Sequence, residues 1–213
     1  MSKVRILLAD DHKMVAEGLR ALLEPEFELV GMAENGHELL EKAEQLKPDV
    51  IIADITMPSL NGIDAVEQLK KNGSQAKVVF LTMHHDAMYA NRAFEAGASG
   101  FVLKHSAPDE LLTAIREVLK GRTYVTPMIA EELMQMYKNG DHKKKGPIRK
   151  LTSRQREVLQ LLAEGKSAKE VAHSLHISSR TVEFHKYHIM AELDLKTSAE
   201  LVQFAIKHGV ISI

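Results

Sequence analysis

The chain has 213 residues, 45 % hydrophobic and 27 % charged, the balance of a globular protein with room for one large or two modest domains. It has no cysteine, which excludes disulfides, thiolate metal sites and thiol redox sensing. No stretch approaches the roughly 20 apolar residues of a membrane-spanning helix, so a cytoplasmic protein without a membrane partner is expected. The net charge of −1 hides an asymmetry, because residues 1–137 carry 14 Lys/Arg against 21 Asp/Glu while residues 138–213 carry 14 against 8. An acidic front half joined to a basic back half suggests a regulatory or catalytic unit attached to one that meets a polyanion.

Short apolar runs near 4–9, 27–33, 49–53, 77–82 and 100–103 read as strands. Amphipathic stretches near 12–24, 36–47, 62–71, 86–96 and 107–119 read as the helices between them. That alternation predicts an α/β fold, a doubly wound parallel sheet of five strands. Pro25, Asn35-Gly36, Lys47-Pro48 and Gly97 punctuate the helices, and Pro108 sits in a first turn, where its missing N–H is harmless.

Two strands end in acid. The run 4–9 leads into Asp10-Asp11 and the run 50–53 into Asp54, which places three carboxylates at the carboxyl edge of the sheet, the functional edge of an open α/β fold. Asp54 taken alone reads more readily as a cap. Three converging acids repel one another unless a hard divalent cation sits among them.

A further amphipathic stretch, 127–137, leads into Asn139-Gly140-Asp141-His142-Lys143-Lys144-Lys145-Gly146-Pro147, too polar to join a core and therefore read as a linker. Its lysines are either solvated or in contact with phosphates. From Leu151 onward the pattern is wholly helical. Thr152 and Gln155 fit a capping box, Ser167 caps a second helix over 168–175, and a tight connection at 176–178 opens a third over 179–193; a fourth follows over 197–208. The second and third form a helix-turn-helix.

Asp10-Asp11, Asp54 with Met57-Pro58 and Asn61-Gly62 behind it, Thr82 ending the fourth strand and Lys104 ending the fifth resemble the residue set of a bacterial response-regulator receiver, a flavodoxin-like fold. Residues 151–210 resemble the LuxR-type helix-turn-helix through Leu-Thr-Ser-Arg-Gln-Arg-Glu-Val-Leu, Ala-Glu-Gly-Lys-Ser, Ile-Ser and Thr-Val-Glu-Phe-His. Their order is that of the NarL/FixJ family of two-component response regulators. The resemblance implies a receiver over 4–120, a linker helix and basic flexible linker over 121–150, and a small all-α DNA-binding domain over 151–213.

It further implies phosphorylation of Asp54 by a sensor histidine kinase, assisted by Mg2+. Asp11 and Asp54 would hold the cation directly, Asp10 through water, and Thr56 through its main-chain carbonyl. A carboxylate attacks a phosphoryl group only when the repulsion between them is neutralised. Lys104 and the Thr82 hydroxyl would meet the phosphoryl oxygens, although taken singly they also read as a surface lysine and a strand-end hydroxyl. Phe101 stands where the family has an aromatic that fills the space Thr82 vacates; it also reads as ordinary core. Met83 is bulkier than the residue many receivers carry there and bears on access to the acyl phosphate. His84-His85 follow Thr82, where the family suggests an influence on dephosphorylation, with solvent exposure the simpler account.

On the third helix of the C-terminal region, Val182, Ile189 and Leu193 share a core-facing stripe, to which His185 belongs. The opposite side presents Arg180, Glu183, Phe184, Lys186 and Tyr187, suited to phosphates, base edges and a thymine methyl. Ser178, Ser179 and Thr181 at its N-terminus suit a phosphate. Glu183 and Tyr187 replace lysines of the family's namesake, so no operator sequence carries over. The pairs His173/His176 and His185/His188 lack a converging third donor, and zinc is not expected.

The resulting expectation is a transcription regulator that binds double-stranded DNA as a homodimer when phosphorylated, with RNA polymerase as a further candidate partner. It is not an enzyme beyond assisting its own phosphorylation and dephosphorylation. An aspartyl-phosphate hydrolase of the haloacid dehalogenase kind needs a second acid two residues after its nucleophile, and Thr56 stands there.

Overall fold

Uninterrupted apolar runs form strands covered on both faces, as a parallel sheet between helical layers demands. The computed structural model describes residues 3–106, 108–140 and 146–211. In it β1 (Arg5–Ala9), β2 (Glu28–Ala33), β3 (Val50–Ala53), β4 (Lys77–Thr82), β5 (Gly100–Leu103) and β6 (Tyr124–Val125) make one sheet in the order β2-β1-β3-β4-β5-β6, every pairing parallel. Val50, Ile51, Ile52 and Ala53 are fully buried; each isoleucine or valine so enclosed contributes about 1.5–3 kcal/mol.

Helices α1 (Lys13–Leu23), α2 (Gly36–Leu46), α3 (Gly62–Lys71), α4 (Ala87–Glu95) and α5 (Pro108–Leu119) alternate with the strands. Leu23 of α1 and Leu111 and Ile115 of α5 share one core with Ile6, Leu8, Ile52 and Val102 of the sheet, while α2 packs against α3. Asn35, Asn61 and Asp86 cap α2, α3 and α4 by accepting the N–H groups of Glu38, Asp64 and Met88.

The sheet has six strands, one more than the pattern predicts. Tyr124-Val125 is too short to show alternation, and only its pairing with Gly100-Phe101 makes it a strand. It leads into α6 (Pro127–Lys138), which packs on α4, where the Tyr137 hydroxyl donates to Asn91 Oδ1 at 3.1 Å. The part of 121–150 up to Lys138 is therefore strand and helix of the first unit, whereas the lysine run 143–145 lies outside the described residues.

The chain divides into two compact units, one holding β1–β6 with α1–α6 and the other the C-terminal helices. The second begins with a 3-10 turn (Pro147–Lys150) and continues through α7 (Ser153–Ala163), α8 (Ala168–Leu175), α9 (Ser179–Glu192) and α10 (Ser198–Lys207). Thr152/Gln155, Ser167/Glu170 and Thr197/Glu200 each form a full capping box. His176 closes α8 in the left-handed region at φ 53°, which turns the chain sharply into α9. Leu159, Val171, Leu175, Val182, Ile189 and Leu201 fill the core between these helices.

Candidate functional site

The strand order reverses between β1 and β3, and the residues that follow these two strands face the crevice where α/β sheets bind ligands. Register fixes the geometry. Ala9 pairs with Ala53, and the Asp54 N–H donates to the Ala9 carbonyl at 2.8 Å, so Asp10 and Asp54 leave the sheet side by side. Lys104 is aligned from the other direction by its own N–H, which donates to the Thr82 carbonyl at 2.8 Å. Its ammonium lies 2.6 Å from Asp54 Oδ2 and 2.7 Å from Asp10 Oδ2. Asp54 Oδ1 accepts the Ile55 N–H at 2.6 Å, and Asp10 Oδ1 accepts that of His12 at 2.9 Å.

Burial raises the Asp54 carboxyl above its ordinary pKa; Lys104 opposes that shift and the Asp10 charge adds to it. For Lys104 burial acts downward, but Asp54 and Asp10 outweigh it and hold the ammonium above the usual lysine value. Three carboxylates gathered around a single ammonium leave the site short of positive charge. Asp11 supplies the second sign of this. Its Oδ1 is buried and lies 3.0 Å from His12 Nδ1, yet it accepts no hydrogen bond, the one such side-chain atom among the described residues.

Asp10, Asp11, His12 and Asp54 each offer a ligand atom within 4.8 Å of the others. A mainly carboxylate set with an unsatisfied oxygen fits a hard divalent cation. His12 was not singled out from sequence; its only signal there is its place next to Asp11.

Gly62 makes the approach possible. A Cβ at this position would stand 2.0 Å from the Asp54 carbonyl oxygen, so no side chain fits while the Gly62 N–H donates to Ile55 O at 2.7 Å. Thr82 is fully buried, and its hydroxyl accepts the His84 N–H at 3.2 Å. The Thr56 hydroxyl bonds His84 Nε2 at 2.7 Å, and the His84 ring stacks on Tyr89 with centroids 4.2 Å apart. Burial, with help from His85 and Arg92, lowers the His84 pKa. His84 is therefore a packed, bonded neighbour of the site, whereas His85 is exposed. Phe101 is fully buried in β5, opposite Phe80, and Met83 is exposed.

In the second unit α9 shows two faces. Val182 and Ile189 are buried; Phe184 and Tyr187 are 59 % and 67 % exposed, unusual for large aromatics without a partner surface. Arg180 is exposed beside them, and Glu183 and Lys186 are half-buried. Phe184 packs against His188, centroids 4.4 Å apart, which adds an exposed imidazole to that face at i, i+4 spacing. Ser178 caps α9, accepting the Thr181 N–H at 3.1 Å while its hydroxyl meets that of Thr181 at 2.8 Å. Burial and the Arg154 charge lower the pKa of half-buried His185.

Residues 6–116 match the family described as response regulator receiver domain, and residues 149–205 match bacterial regulatory proteins of the luxR family. The chain belongs to the NarL/FixJ family of response regulators. This response regulator is 38 % identical over 212 residues to the transcriptional regulatory protein MctR of Rhizobium johnstonii, with 99 % of this chain and 96 % of that one covered. It is 36 % identical over 215 residues to the oxygen regulatory protein NreC of Staphylococcus haemolyticus, covering 98 % and 99 %.

Among solved structures, a LuxR-family two-component response regulator from Aurantimonas sp. is similar at a TM-score of 0.61 with 38 % identity, over 64 % of this chain and 99 % of that one. The RcsB–DNA complex is similar at 0.60 with 26 % identity, over 95 % and 98 %. The response regulator is thus a transcription regulator with a LuxR-type DNA-binding domain, from a family of regulators and not of enzymes. No described helix is long and apolar enough to cross a membrane.

Proposed function

We propose that this response regulator accepts a phosphoryl group on Asp54 from a sensor histidine kinase, with Mg2+ bound among Asp10, Asp11, Asp54 and the Thr56 carbonyl. The observation that supports it most is the buried trio of Asp10, Asp54 and Lys104 at the switch point, beside an Asp11 oxygen with no hydrogen bond. When bound, the cation would neutralise the repulsion between carboxylate and phosphoryl group. Asp11 and Asp54 would hold it directly and Asp10 through water.

An oxygen of Asp54 forms the new bond to phosphorus as the phosphorus–nitrogen bond of a phosphohistidine breaks, the electron pair leaving with the imidazole. Lys104 then turns its ammonium from the two carboxylates to a phosphoryl oxygen. Thr82 already accepts from the His84 N–H, which leaves its own proton for a second phosphoryl oxygen. Phe101 is the aromatic that packs behind Thr82 as it moves.

Residues 4–120 act as the receiver on this reading and 151–213 as the DNA reader. Arg180, Glu183, Phe184, Lys186 and Tyr187 of α9 face the bases and phosphates, and Ser178, Ser179 and Thr181 present the helix N-terminus to the backbone. One small domain reads few base pairs, so the phosphorylated protein binds as a dimer, in the cytoplasm, where RNA polymerase is its further partner.

Incubation with acetyl phosphate and Mg2+, read by intact mass, tests the core of this. Wild type should gain one acid-labile phosphoryl group and the near-isosteric Asp54→Asn none. Equal labelling of both would place the acceptor elsewhere.

A further inference from the structure

Among the described helices that begin with Ser, Thr, Asn or Asp, seven use that side chain to accept an N–H of the first turn. Thr126, which begins α6, does not. Its hydroxyl points back into the first unit, accepting the Leu103 N–H at 3.3 Å and donating to Glu110 Oε1 of α5 at 2.5 Å. Its main chain is held by the same strand, since its N–H donates to the Phe101 carbonyl at 3.0 Å. Thr126 is 6 % exposed, so these are bonds made away from water, where losing one leaves a group unsatisfied.

Leu103 precedes Lys104. Two consecutive peptide N–H groups at the end of β5 are therefore held from opposite sides, Leu103 by the Thr126 hydroxyl and Lys104 by the Thr82 carbonyl. A helix cap has been given up to make the first of these. We propose that Thr126 is a positioning residue for Lys104, and that its ties to β5 and α5 make α6 respond to occupancy of the phosphorylation site. The inference rests on the reading of Asp54 and Lys104 given above. When the Lys104 ammonium leaves Asp10 and Asp54 for a phosphoryl oxygen, the end of β5 shifts and takes Thr126 with it through both side chain and main chain. Pro127 follows with its φ fixed by the ring, so the displacement reaches α6 as a rotation of the helix instead of being absorbed at its first bond.

Thr126→Val keeps the shape and removes the hydroxyl, Thr126→Ser restores it, and Glu110→Ala frees it to rotate while sparing its bond to β5, with Tyr124→Phe as the control for the Glu110–Tyr124 bond that the same change removes. Two readouts apply to the full chain: the initial rate of phosphorylation by acetyl phosphate with Mg2+, and hydrogen exchange of the α6 amides with and without beryllofluoride and Mg2+. In wild type, exchange in α6 should change about tenfold on adding beryllofluoride; Thr126→Val should lose that response and phosphorylate about tenfold more slowly, as the misplacement of one buried bond implies. Thr126→Ser should recover both, a rescue that general damage to the fold would not show. Glu110→Ala should lose the α6 response with its labelling rate kept. Wild-type behaviour of both Thr126→Val and Glu110→Ala, with Asp54 still labelled, overturns the inference alone. A wild-type protein that takes no phosphoryl group overturns the Asp54 reading and this inference with it.

Discussion

The Lys104 ammonium bridges the two buried carboxylates of Asp54 and Asp10, 2.6 and 2.7 Å from their Oδ2 atoms. It therefore does structural work in the resting protein before any phosphoryl group arrives. Lys104→Ala leaves two acids facing each other in the crevice, and removing one partner from a buried charge cluster destabilises by about 3–5 kcal/mol. Urea denaturation without divalent cation should show that loss, and saturating Mg2+ should recover part of it because it replaces the missing positive charge.

Asp11→Ala should act in the opposite direction. Its buried Oδ1 accepts no hydrogen bond, so removing the carboxylate relieves repulsion and leaves the cation-free protein as stable as wild type or more so. Magnesium affinity and phosphorylation should collapse. Titration calorimetry with Mg2+ and a thermal melt on the same sample check both halves; wild-type affinity would rule out Asp11 as a ligand.

Gly62→Ala should be severe for a change of one methyl group. The added Cβ would meet the Asp54 carbonyl oxygen at 2.0 Å, which forces backbone to move and costs about 4 kcal/mol or more. Asp54 shifts with that backbone, so phosphorylation should fall even where the variant is still folded. A circular-dichroism melt alongside acetyl phosphate labelling gives both quantities.

His185 makes the second unit sensitive to acid. Burial and Arg154 depress its folded pKa below the ordinary 6.5, so the unfolded chain binds the proton more readily. The stability it contributes is complete above about pH 6.5 and is lost as the pH falls through the depressed value. Melting temperature measured from pH 7 to pH 5 should decline less steeply in His185→Gln than in wild type.

Phe184 tests the DNA face. At 59 % exposure it contributes little to the core, so Phe184→Ala should change stability by no more than about 0.5 kcal/mol. Loss of a base contact should weaken specific DNA binding by about 1–3 kcal/mol. Fluorescence titration at one fixed salt concentration compares the two proteins, and unchanged affinity would move the reading face away from Phe184.

The first unit was legible because its signals are local. Each core strand is an apolar run, two of them end in acid, and Asn35 announces its helix one residue ahead, as Thr152 and Ser167 do in the second unit. What stayed hidden depends on distance in sequence. Nothing near Tyr124-Val125 marks it as a strand, because only Gly100 and Phe101 make it one. Thr126 looks like a plain helix cap until Leu103 and Glu110 are seen beside it. His12 carries no motif, and its place in the site arises only when Asp54 is brought within reach; the position of His84 after Thr82 was legible, but its bond to Thr56 was not.

The strand order has a consequence for synthesis. β1 leaves the ribosome first, but its inner neighbour β3 is made only some forty residues later, and Lys104 and Thr126 later still. Asp10 and Asp54 therefore meet their compensating ammonium only after nearly the whole first unit has emerged. The second unit is built from contacts between neighbouring helices and has no such delay.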